Sequence, residues 1–478
     1  MKVTKIKAAL PLNLKPKIYS ELQEVLQKVH SSIRKEVEFA IDDAKPQDRH
    51  RIATAFIQKI KSEIQSGQID FRMMNCVPNE IKEQSSKTVS AFSDMLKQHD
   101  HHAVNDLIDQ FYKNYNQAIG IPKLQLTDGQ LKTAKAKLIK YKWWQKIIYK
   151  TINDNVELLF TRLGLVGKYN NNHFVSRYVL EAQHNKDYAV KQYLNGKGLL
   201  SQRAKPIFYE NLCFANGIKK YAESNHLTMI AITITAPGEY HTSSKFWNGY
   251  SPRQTHRLIS SLWNTFNTRI RKWKSRSFYL RVVEPHIDGT PHWHVIFWGD
   301  ANKSQKYKKV FYEVFKSFNN HKNGEHGIDW VINEDPDKIS KNILYVLKSM
   351  EVSNDDEDED EDVEYSQKNR RLKRIETHAK FWNLRRWQLS GLPKHCKSLW
   401  RLMYRLQIRK DSPFIDTSNT IAAQLRDAVK SRNFKVFLEV ITEHQNRIKL
   451  DTVNHHVIID LDCYVLPADL RLTQKKRN

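Results

Sequence analysis

The segment from Glu284 to His294 constrains the fold more than any other part of the chain. It has the sequence Glu-Pro-His-Ile-Asp-Gly-Thr-Pro-His-Trp-His. His292 and His294 are one residue apart, and the residues around them predict a strand over 292–298. Because side chains alternate between the two faces of a strand, both imidazoles lie on one face and can share a divalent ion. Asp288-Gly289 is a turn signal, so the sequence predicts a hairpin.

The register of this hairpin decides which residue completes the histidine pair. A two-residue turn would direct Glu284 away from the histidines. A three-residue loop would set His286 opposite His292 and Glu284 opposite His294, with all four side chains on one face. In that register Glu284, His292 and His294 form a mixed nitrogen and oxygen site, and His286 is a supporting residue beside the ligands.

Such a donor set suits magnesium or manganese when phosphate oxygens complete the coordination shell. The alternative is a chance pair, because the chain contains 20 histidines. A structural zinc site is disfavoured, since no cysteine lies near the segment. The hairpin, the glutamate and the strand context together favour the metal site.

Short β-branched segments and amphipathic helices surround the hairpin. Their order is strand, helix, strand, strand, helix, strand, helix, which predicts an α+β fold with a central antiparallel sheet. The predicted strands cover 229–235, 278–283, 292–298 and 329–332, and the predicted helices begin at Pro252, Gln305 and Ile339.

The sequence predicts six regions. Eight consecutive acidic residues, Asp355–Asp362, predict a solvated, self-repelling linker, although a DNA mimic is an alternative. The predicted regions are a helical part over 1–125, a helical basic part over 126–225, the core over 226–350, the acidic linker over 351–365, a basic aromatic helical part over 366–410, and a C-terminal part over 411–478 with a possible hairpin over 453–466.

A net charge of +26 points to a polyanionic partner, since lysine and arginine release counterions from phosphates. Anionic lipid is a weaker candidate, because no stretch is long and apolar enough to span a bilayer. Basic and aromatic residues alternate in two places, which fits either a nucleic-acid groove or an amphipathic helix with a tryptophan core. The candidate DNA contacts are Lys140, Lys142, Trp143, Trp144, Arg385, Arg386 and Trp387.

The cysteines predict no disulfide framework. Cys76, Cys213, Cys396 and Cys463 are widely spaced and form no CxxC pair. The apolar patch near the amino terminus is too short for a signal sequence. We therefore expect reduced thiols in a cytoplasmic protein. We expect neither a membrane nor a small-molecule substrate among its partners.

Tyr345 is the candidate nucleophile. On a helix, Lys341 and Lys348 lie four and three residues away and share its face. Two cations can lower the pKa of a phenol and neutralise charge on a phosphoryl group. A tyrosine at this spacing is also compatible with ordinary packing, so the nearby metal motif carries the hypothesis.

The order of these motifs resembles the rolling-circle initiators of the HUH type, and the flanks resemble the bacteriophage replication gene A protein family. The resemblance covers roughly residues 130 to 410. It is carried by Ile232-Thr-Ile-Thr-Ala-Pro237 with His241, by Glu284–His294, by Tyr345-Val-Leu-Lys348, and by the flanking residues Trp143-Trp144, Arg162-Leu-Gly-Leu-Val166, Phe381–Gln388, Gly391 and Trp400-Arg401.

The resemblance implies an RRM-like or ferredoxin-like nuclease core that nicks a single-stranded origin. His292, His294 and Glu284 would bind the metal, and Tyr345 would form a 5′-phosphotyrosyl link during rolling-circle replication of a phage or related element in the bacterial cytoplasm. Paired tyrosines four residues apart are frequent in the family, but here Ser349 and Lys341 stand at those positions. The acidic insertion after the helix also differs from the family pattern.

Three alternatives remain open from the sequence. An HUH transposase or relaxase would use the same chemistry on a different DNA. A non-catalytic origin-binding regulator would retain these residues without cutting. A metallohydrolase would use a bound water, with Tyr345 as packing. No Walker GxxxxGK[ST] motif is present, so we expect strand unwinding by a host helicase.

Overall fold

The chain forms two compact units. The computed structural model describes residues 13–71, 74–76, 78–97, 136–167, 173–196, 204–319, 327–333, 335–348, 363–407, 420–451, 456–459 and 462–465. The first unit comprises Met1–Asn185, Gly238–Ser251 and Ile287–Gly289, and the second comprises Lys186–Pro237, Pro252–His286 and Thr290–Asn478. None of the described helices is long and apolar enough to cross a membrane. The acidic run Asp355–Asp362 lies outside the described residues.

Helices build the first unit, as the sequence predicts for this part of the chain. Their apolar faces recur at three- and four-residue spacing and meet in a core that includes Leu22, Leu26, Ile57 and Ile60, each at most 4% exposed. The helices are α1 (Pro16–Leu26), α2 (Ser31–Asp42), α3 (Arg49–Ser66), α4 (Pro78–Lys97) and α5 (Tyr141–Arg162), with α6 (Arg177–Gly196) following.

The second unit combines helices with two sheets. Its helices are α7 (Ala204–Ser224), α8 (Pro252–Arg271), α9 (Ser304–Val314), α10 (Lys316–Asn319), α11 (Pro336–Lys348), α12 (Val363–Trp382), α13 (Cys396–Gln407), α14 (Thr420–Lys430) and α15 (Phe434–Glu443). Its strands are β1 (Leu227–Thr235), β2 (Ser277–Pro285), β3 (Pro291–Asp300), β4 (Ile328–Asn333), β5 (Trp387–Ser390), β6 (Ile448–Asp451), β7 (His456–Ile459) and β8 (Asp462–Val465).

The larger sheet confirms the predicted antiparallel arrangement. Its strand order is β4-β1-β3-β2-β5, and every neighbouring pair is antiparallel. The predicted hairpin over 453–466 contains β7 and β8, which pair with each other, and β6 extends them to a three-stranded sheet. The four strands predicted for the core correspond to β1, β2, β3 and β4, and the three predicted helices correspond to α8, α9 and α11.

One predicted helical segment is wrong. Residues 387–390 form strand β5, although the sequence predicted a helical part over 366–410. Val282 and Trp387 pair at one end of the β2–β5 ladder, so β5 gains its backbone partners from a strand about a hundred residues earlier. Tertiary pairing outweighs local propensity here.

Helices cover both faces of the larger sheet. Strand β3 alternates: Phe297 faces α8 and α9, with its ring 5.9 Å from that of Phe266 and 5.3 Å from that of Tyr307. Ile296 and Trp298 face the opposite way, into a core shared with α7, α11, α13, α14 and α15. His292 and His294 lie on this second face and are only partly buried. The apolar core therefore ends where the histidines begin.

Gly391 ends β5 in a conformation that other residues resist. Its φ is +93°, and a Cβ there would collide with the carbonyl oxygen of Ser277. Gly67 also has a positive φ, of +65°, but nothing lies within 4 Å of its added Cβ. An alanine at Gly67 would therefore suffer backbone strain alone, whereas an alanine at Gly391 would suffer both backbone strain and a collision.

We predict that Gly391→Ala lowers the free energy of unfolding by about 2 kcal/mol more than Gly67→Ala, which should cost about 1 kcal/mol through backbone strain alone. Chemical denaturation followed by tryptophan fluorescence measures both. Equal losses in the two variants would show that β2 and β5 do not approach as described.

Candidate active site

The pairing of β2 with β3 places the predicted site residues on one face. Glu284 pairs with His292, and Val282 pairs with His294. The prediction that Glu284 and both histidines share a face is therefore confirmed, while the predicted pairing of Glu284 with His294 is wrong by two residues. The loop is also longer than the three residues expected, since His286 N donates to Thr290 O at 2.8 Å across it.

Two prolines explain the longer loop. Pro285 pairs with Pro291 at the end of the ladder, and neither has an amide hydrogen to continue it. Gly289 has φ +84°, the positive value expected of a glycine in such a loop. Within the first unit, Asp288 Oδ2 accepts hydrogen bonds from Ser243 Oγ at 2.9 Å and lies 3.2 Å from His241 Nδ1. The loop is thus held at its tip as well as at its base.

The imidazoles and the carboxylate form one cluster in the second unit. The rings of His286 and His292 lie 4.8 Å apart, and those of His292 and His294 lie 4.6 Å apart. Glu284 Oε2 is 3.8 Å from His294 Nε2. The structure therefore brings together all four residues that the hairpin argument selected.

Thr235, at the end of β1, is a site residue that the sequence argument missed. It pairs with His292 in the β1–β3 ladder, and its Oγ1 lies 2.9 Å from His292 Nδ1. This contact engages Nδ1 and orients the ring, so metal coordination by His292 would use Nε2. A threonine at the end of a β-branched strand gives no local signal of that role.

The donor types fit a divalent ion, although the side chains are not gathered around one. Among the described residues, no three His, Cys, Asp or Glu side chains surround a common point as metal ligands would. The 3.8 Å between Glu284 Oε2 and His294 Nε2 is within the span of about 4.2 Å that one ion bridges with two bonds of about 2.1 Å. The His292 ring adjoins this pair, with its centroid 4.6 Å from that of His294.

Tyr345 lies beside this cluster. Ile339, Ile343, Val346 and Leu347 bury the inner face of α11, and this places Tyr345 on the outer face, where it is 57% exposed. Its ring stands edge-on to that of His294, with centroids 5.2 Å apart. The candidate nucleophile and a candidate ligand are thus in contact.

The pKa of Tyr345 lies above its ordinary value, so the net lowering expected from the lysines is not seen, and the part expected from Lys348 stays a prediction. Burial and the charge of Glu284 raise this pKa, and among the described residues the charge of Arg371 of α12 lowers it. Lys341 is exposed one turn before Tyr345, and the side chain of Lys348 lies outside the described residues. Arg371 was missed because no local pattern links α12 to α11.

A second arginine of the predicted basic aromatic part, 366–410, also approaches the site. The Arg386 carbonyl accepts a hydrogen bond from Val283 N at 2.7 Å, which continues the β2–β5 pairing toward Glu284. Burial lowers the pKa of Arg386, and the charges of Glu376 and Glu284 oppose that shift. Its guanidinium lies 3.8 Å from Glu376. Arg385 is exposed and Trp387 is partly buried against the core.

One predicted DNA contact is wrong. Trp144 is completely buried, stacks on Phe92 with centroids 5.4 Å apart, and donates from Nε1 to Leu138 O at 2.6 Å. Its ring is unavailable to a base, so the core interpretation holds for it. Lys140 and Lys142 are exposed, and Trp143 is partly buried against Trp144.

Comparison with known proteins gives a family match. The model for the bacteriophage replication gene A protein (GPA) family matches residues 73–346. The probable replication protein P12 of Pseudoalteromonas phage PM2 is 25% identical over 328 residues, which cover 63% of this chain and 50% of that protein. No solved structure matches the chain significantly.

Shorter matches are closer in sequence. The replication gene A protein of Escherichia phage 186 is 41% identical over 70 residues, 13% of this chain and 10% of that protein. A probable replication endonuclease from a prophage-like region of Shigella boydii is 28% identical over 93 residues, 18% of this chain and 12% of that protein. The match thus covers half the length of the PM2 relative and a smaller share of the other two relatives.

The electrostatics around Tyr345 predict shifts of opposite sign in two variants. In protein freed of metal with a chelator, Glu284→Gln should lower the pKa of Tyr345, because it removes a repelling negative charge. Arg371→Gln should raise it, because it removes an attracting positive charge. Titration of the labelled tyrosine ring by NMR measures both, with the exposed Glu313→Gln as a control that leaves the pKa unchanged. Shifts of the same sign in both variants would contradict the described arrangement.

Proposed function

The chain belongs to the bacteriophage replication gene A protein family, and on that premise we propose that it is a replication-initiating endonuclease that nicks one DNA strand with Tyr345. The contact between the Tyr345 ring and His294, in a cluster that also holds His292 and Glu284, carries the proposal. A nucleophile beside imidazole and carboxylate groups that can bind a metal ion suits phosphoryl transfer to tyrosine. The Shigella boydii relative is named a probable replication endonuclease, and this name supports cleavage of DNA as the reaction.

The proposed step is a transesterification. Tyr345 Oη attacks the phosphorus of a phosphodiester, so an Oη–P bond forms and the bond from phosphorus to the 3′-oxygen breaks. The phenolic proton passes to solvent, which reaches this 57% exposed side chain, and the departing 3′-oxygen takes up a proton. The products are a 5′-phosphotyrosyl link and a free 3′-hydroxyl. Because one phosphodiester replaces another, the strand can later be rejoined.

Glu284, His292 and His294 would hold magnesium or manganese. The ion would supply Lewis-acid polarisation of the scissile phosphate and positive charge near the phenol. Thr235 orients the His292 ring through Nδ1, and His286 packs against that ring from the loop. These two residues act by holding the ligands rather than by contacting DNA.

Arg371 opposes the groups that disfavour the Tyr345 phenolate. The pKa of Tyr345 stands above its ordinary value because burial and Glu284 disfavour the charged form, and Arg371 opposes both. A phenol in that state is a poor nucleophile near neutral pH, so positive charge must arrive before the reaction. Arg371 supplies part of that charge from α12, and the phosphate-bound ion would supply the rest.

The released 3′-hydroxyl would prime rolling-circle replication of a phage or related element. Ser349 lies four residues after Tyr345 and Lys341 four before, so neither of the family's usual spacings holds a second tyrosine. Closure of the product circle would then use a second subunit or another acceptor. Single-stranded origin DNA is the proposed substrate, and a host helicase is the proposed partner for unwinding.

Labelled origin DNA tests the nick. In the presence of manganese, the wild type should retain the strand 3′ of the nick as a protein adduct on a denaturing gel. Tyr345→Phe should lose the adduct completely, while Tyr404→Phe, which changes another exposed helical tyrosine, should retain it. Cutting by Tyr345→Phe would identify a water-using nuclease. Binding without cutting by every form would identify a regulator.

Calorimetry tests the metal site separately from catalysis. The wild type should bind one manganese ion per chain, and His292→Ala, His294→Ala and Glu284→Gln should each weaken binding by about tenfold or more, because a ligand is lost. His184→Ala, which changes an exposed histidine of the first unit, should bind as the wild type does. Equal affinity in all four variants would exclude this cluster as the metal site.

A further inference from the structure

A second cluster of polar side chains is buried on the opposite face of the larger sheet. Arg281 pairs with Val295 and therefore faces α8 and α9, away from Glu284 and the histidines. It is 4% exposed, and its guanidinium carbon lies 3.9 Å from the centre of the Trp293 ring. Trp293 belongs to the same face, since it alternates with His292 and His294 along β3.

Arg281 has no acceptor in the described part of the chain. No hydrogen bond or ion pair there joins its guanidinium, and its Nε is fully enclosed without a partner. Arg253, also buried at 8% exposure, shows the contrast: its Nε donates to Trp382 O at 2.9 Å. Burial, and to a smaller extent the charge of Arg385, lowers the pKa of Arg281 to about 10, while Tyr279 opposes the shift, so the guanidinium remains charged at neutral pH.

Two further buried nitrogens adjoin this guanidinium: Trp293 Nε1, which donates, and His256 Nδ1, which donates in its Nδ1–H tautomer. The His256 ring lies 5.2 Å from the Trp293 ring, and both His256 Nδ1 and Trp293 Nε1 are buried without a hydrogen-bond partner among the described residues. The charges that act on His256 are all basic, namely Arg281, Arg257 and His378, and together with burial they hold its pKa at about 3. The cluster therefore carries positive charge with no carboxylate among the groups that shift these pKa values.

A buried positive charge and unpaired buried donors call for a counter-ion that also accepts hydrogen bonds. A buried charge without a counter-ion is costly, and buried donors in native proteins almost always have acceptors. Water could satisfy one donor but would not neutralise the charge. An oxyanion does both, because several oxygens can accept from a guanidinium fork and from neighbouring N–H groups at once.

We propose that Arg281, His256 and Trp293 form a binding site for a single phosphate group, separate from the face that carries Tyr345. Arg281 is 4% exposed and His256 is 7% exposed, so a site this deeply buried would take one phosphate rather than a length of DNA backbone. The phosphate can be inorganic or the terminal group of an oligonucleotide. Trp293 lies between His292 and His294 in the chain, so a bound phosphate would contact the same strand that carries both histidines.

Equilibrium dialysis with radiolabelled inorganic phosphate tests the site in the full-length protein at constant ionic strength in chloride. The wild type should bind a single equivalent. Arg281→Gln should weaken binding by about tenfold or more, the loss expected for a charge-assisted hydrogen bond. Arg276→Gln makes the same charge change at an exposed position just before β2 and should bind as the wild type does.

His256→Phe keeps an aromatic ring, removes one donor, and gives an independent test if Arg281→Gln fails to fold. Competition with 5′-phosphorylated or 5′-hydroxyl oligothymidine identifies the source. Displacement by the phosphorylated form alone supports a terminal phosphate, and displacement by neither supports inorganic phosphate. The proposal is overturned if the wild type binds no phosphate at millimolar concentration, or if His256→Phe and every folded Arg281 variant bind it as the wild type does. Neither result would alter the nicking assay.

Discussion

The register between β2 and β3 is the constraint on which the rest of the site depends. Because Glu284 pairs with His292, the carboxylate and both histidines of β3 share one face. A shift by one residue would direct Glu284 into the layer that holds Trp293 and Phe297, and a buried unpaired carboxylate there would be costly. Packing on both faces of the sheet therefore fixes the register that places Glu284, His292 and His294 together at the end of β2 and β3.

The site combines elements that are far apart in sequence. Strand β1 brings Thr235 to His292, helix α11 brings Tyr345 to His294, and helix α12 brings Arg371 within electrostatic reach of the phenol. The raised pKa of Tyr345 means that the protein alone does not favour phenolate formation. We propose that an added cation supplies the missing positive charge, and the donor types in the hairpin support this proposal.

Sequence periodicity predicted the parts of this arrangement that local rules govern. Alternation placed His292 and His294 on one face, and helical spacing placed Tyr345 on the same face of α11 as Lys341, which is exposed like Tyr345. The loop length was not predictable, because Pro285 and Pro291 end the ladder and Asp288 is held by Ser243, a residue far away in the chain. Strand β5 and the role of Arg371 likewise depend on tertiary contacts. Trp144 shows the converse limit: its spacing fitted both a groove and a core, and burial chose the core.

The central claim is that Tyr345 becomes covalently joined to DNA. Tandem mass spectrometry of the nuclease-trimmed and protease-digested adduct tests it most directly, because it locates the modified residue within a peptide. The account predicts a nucleotide 5′-phosphate on the peptide that contains Tyr345, attached to that residue. A nucleotide on any other residue, or a nicked strand that carries a free 5′-phosphate and no peptide, would contradict it.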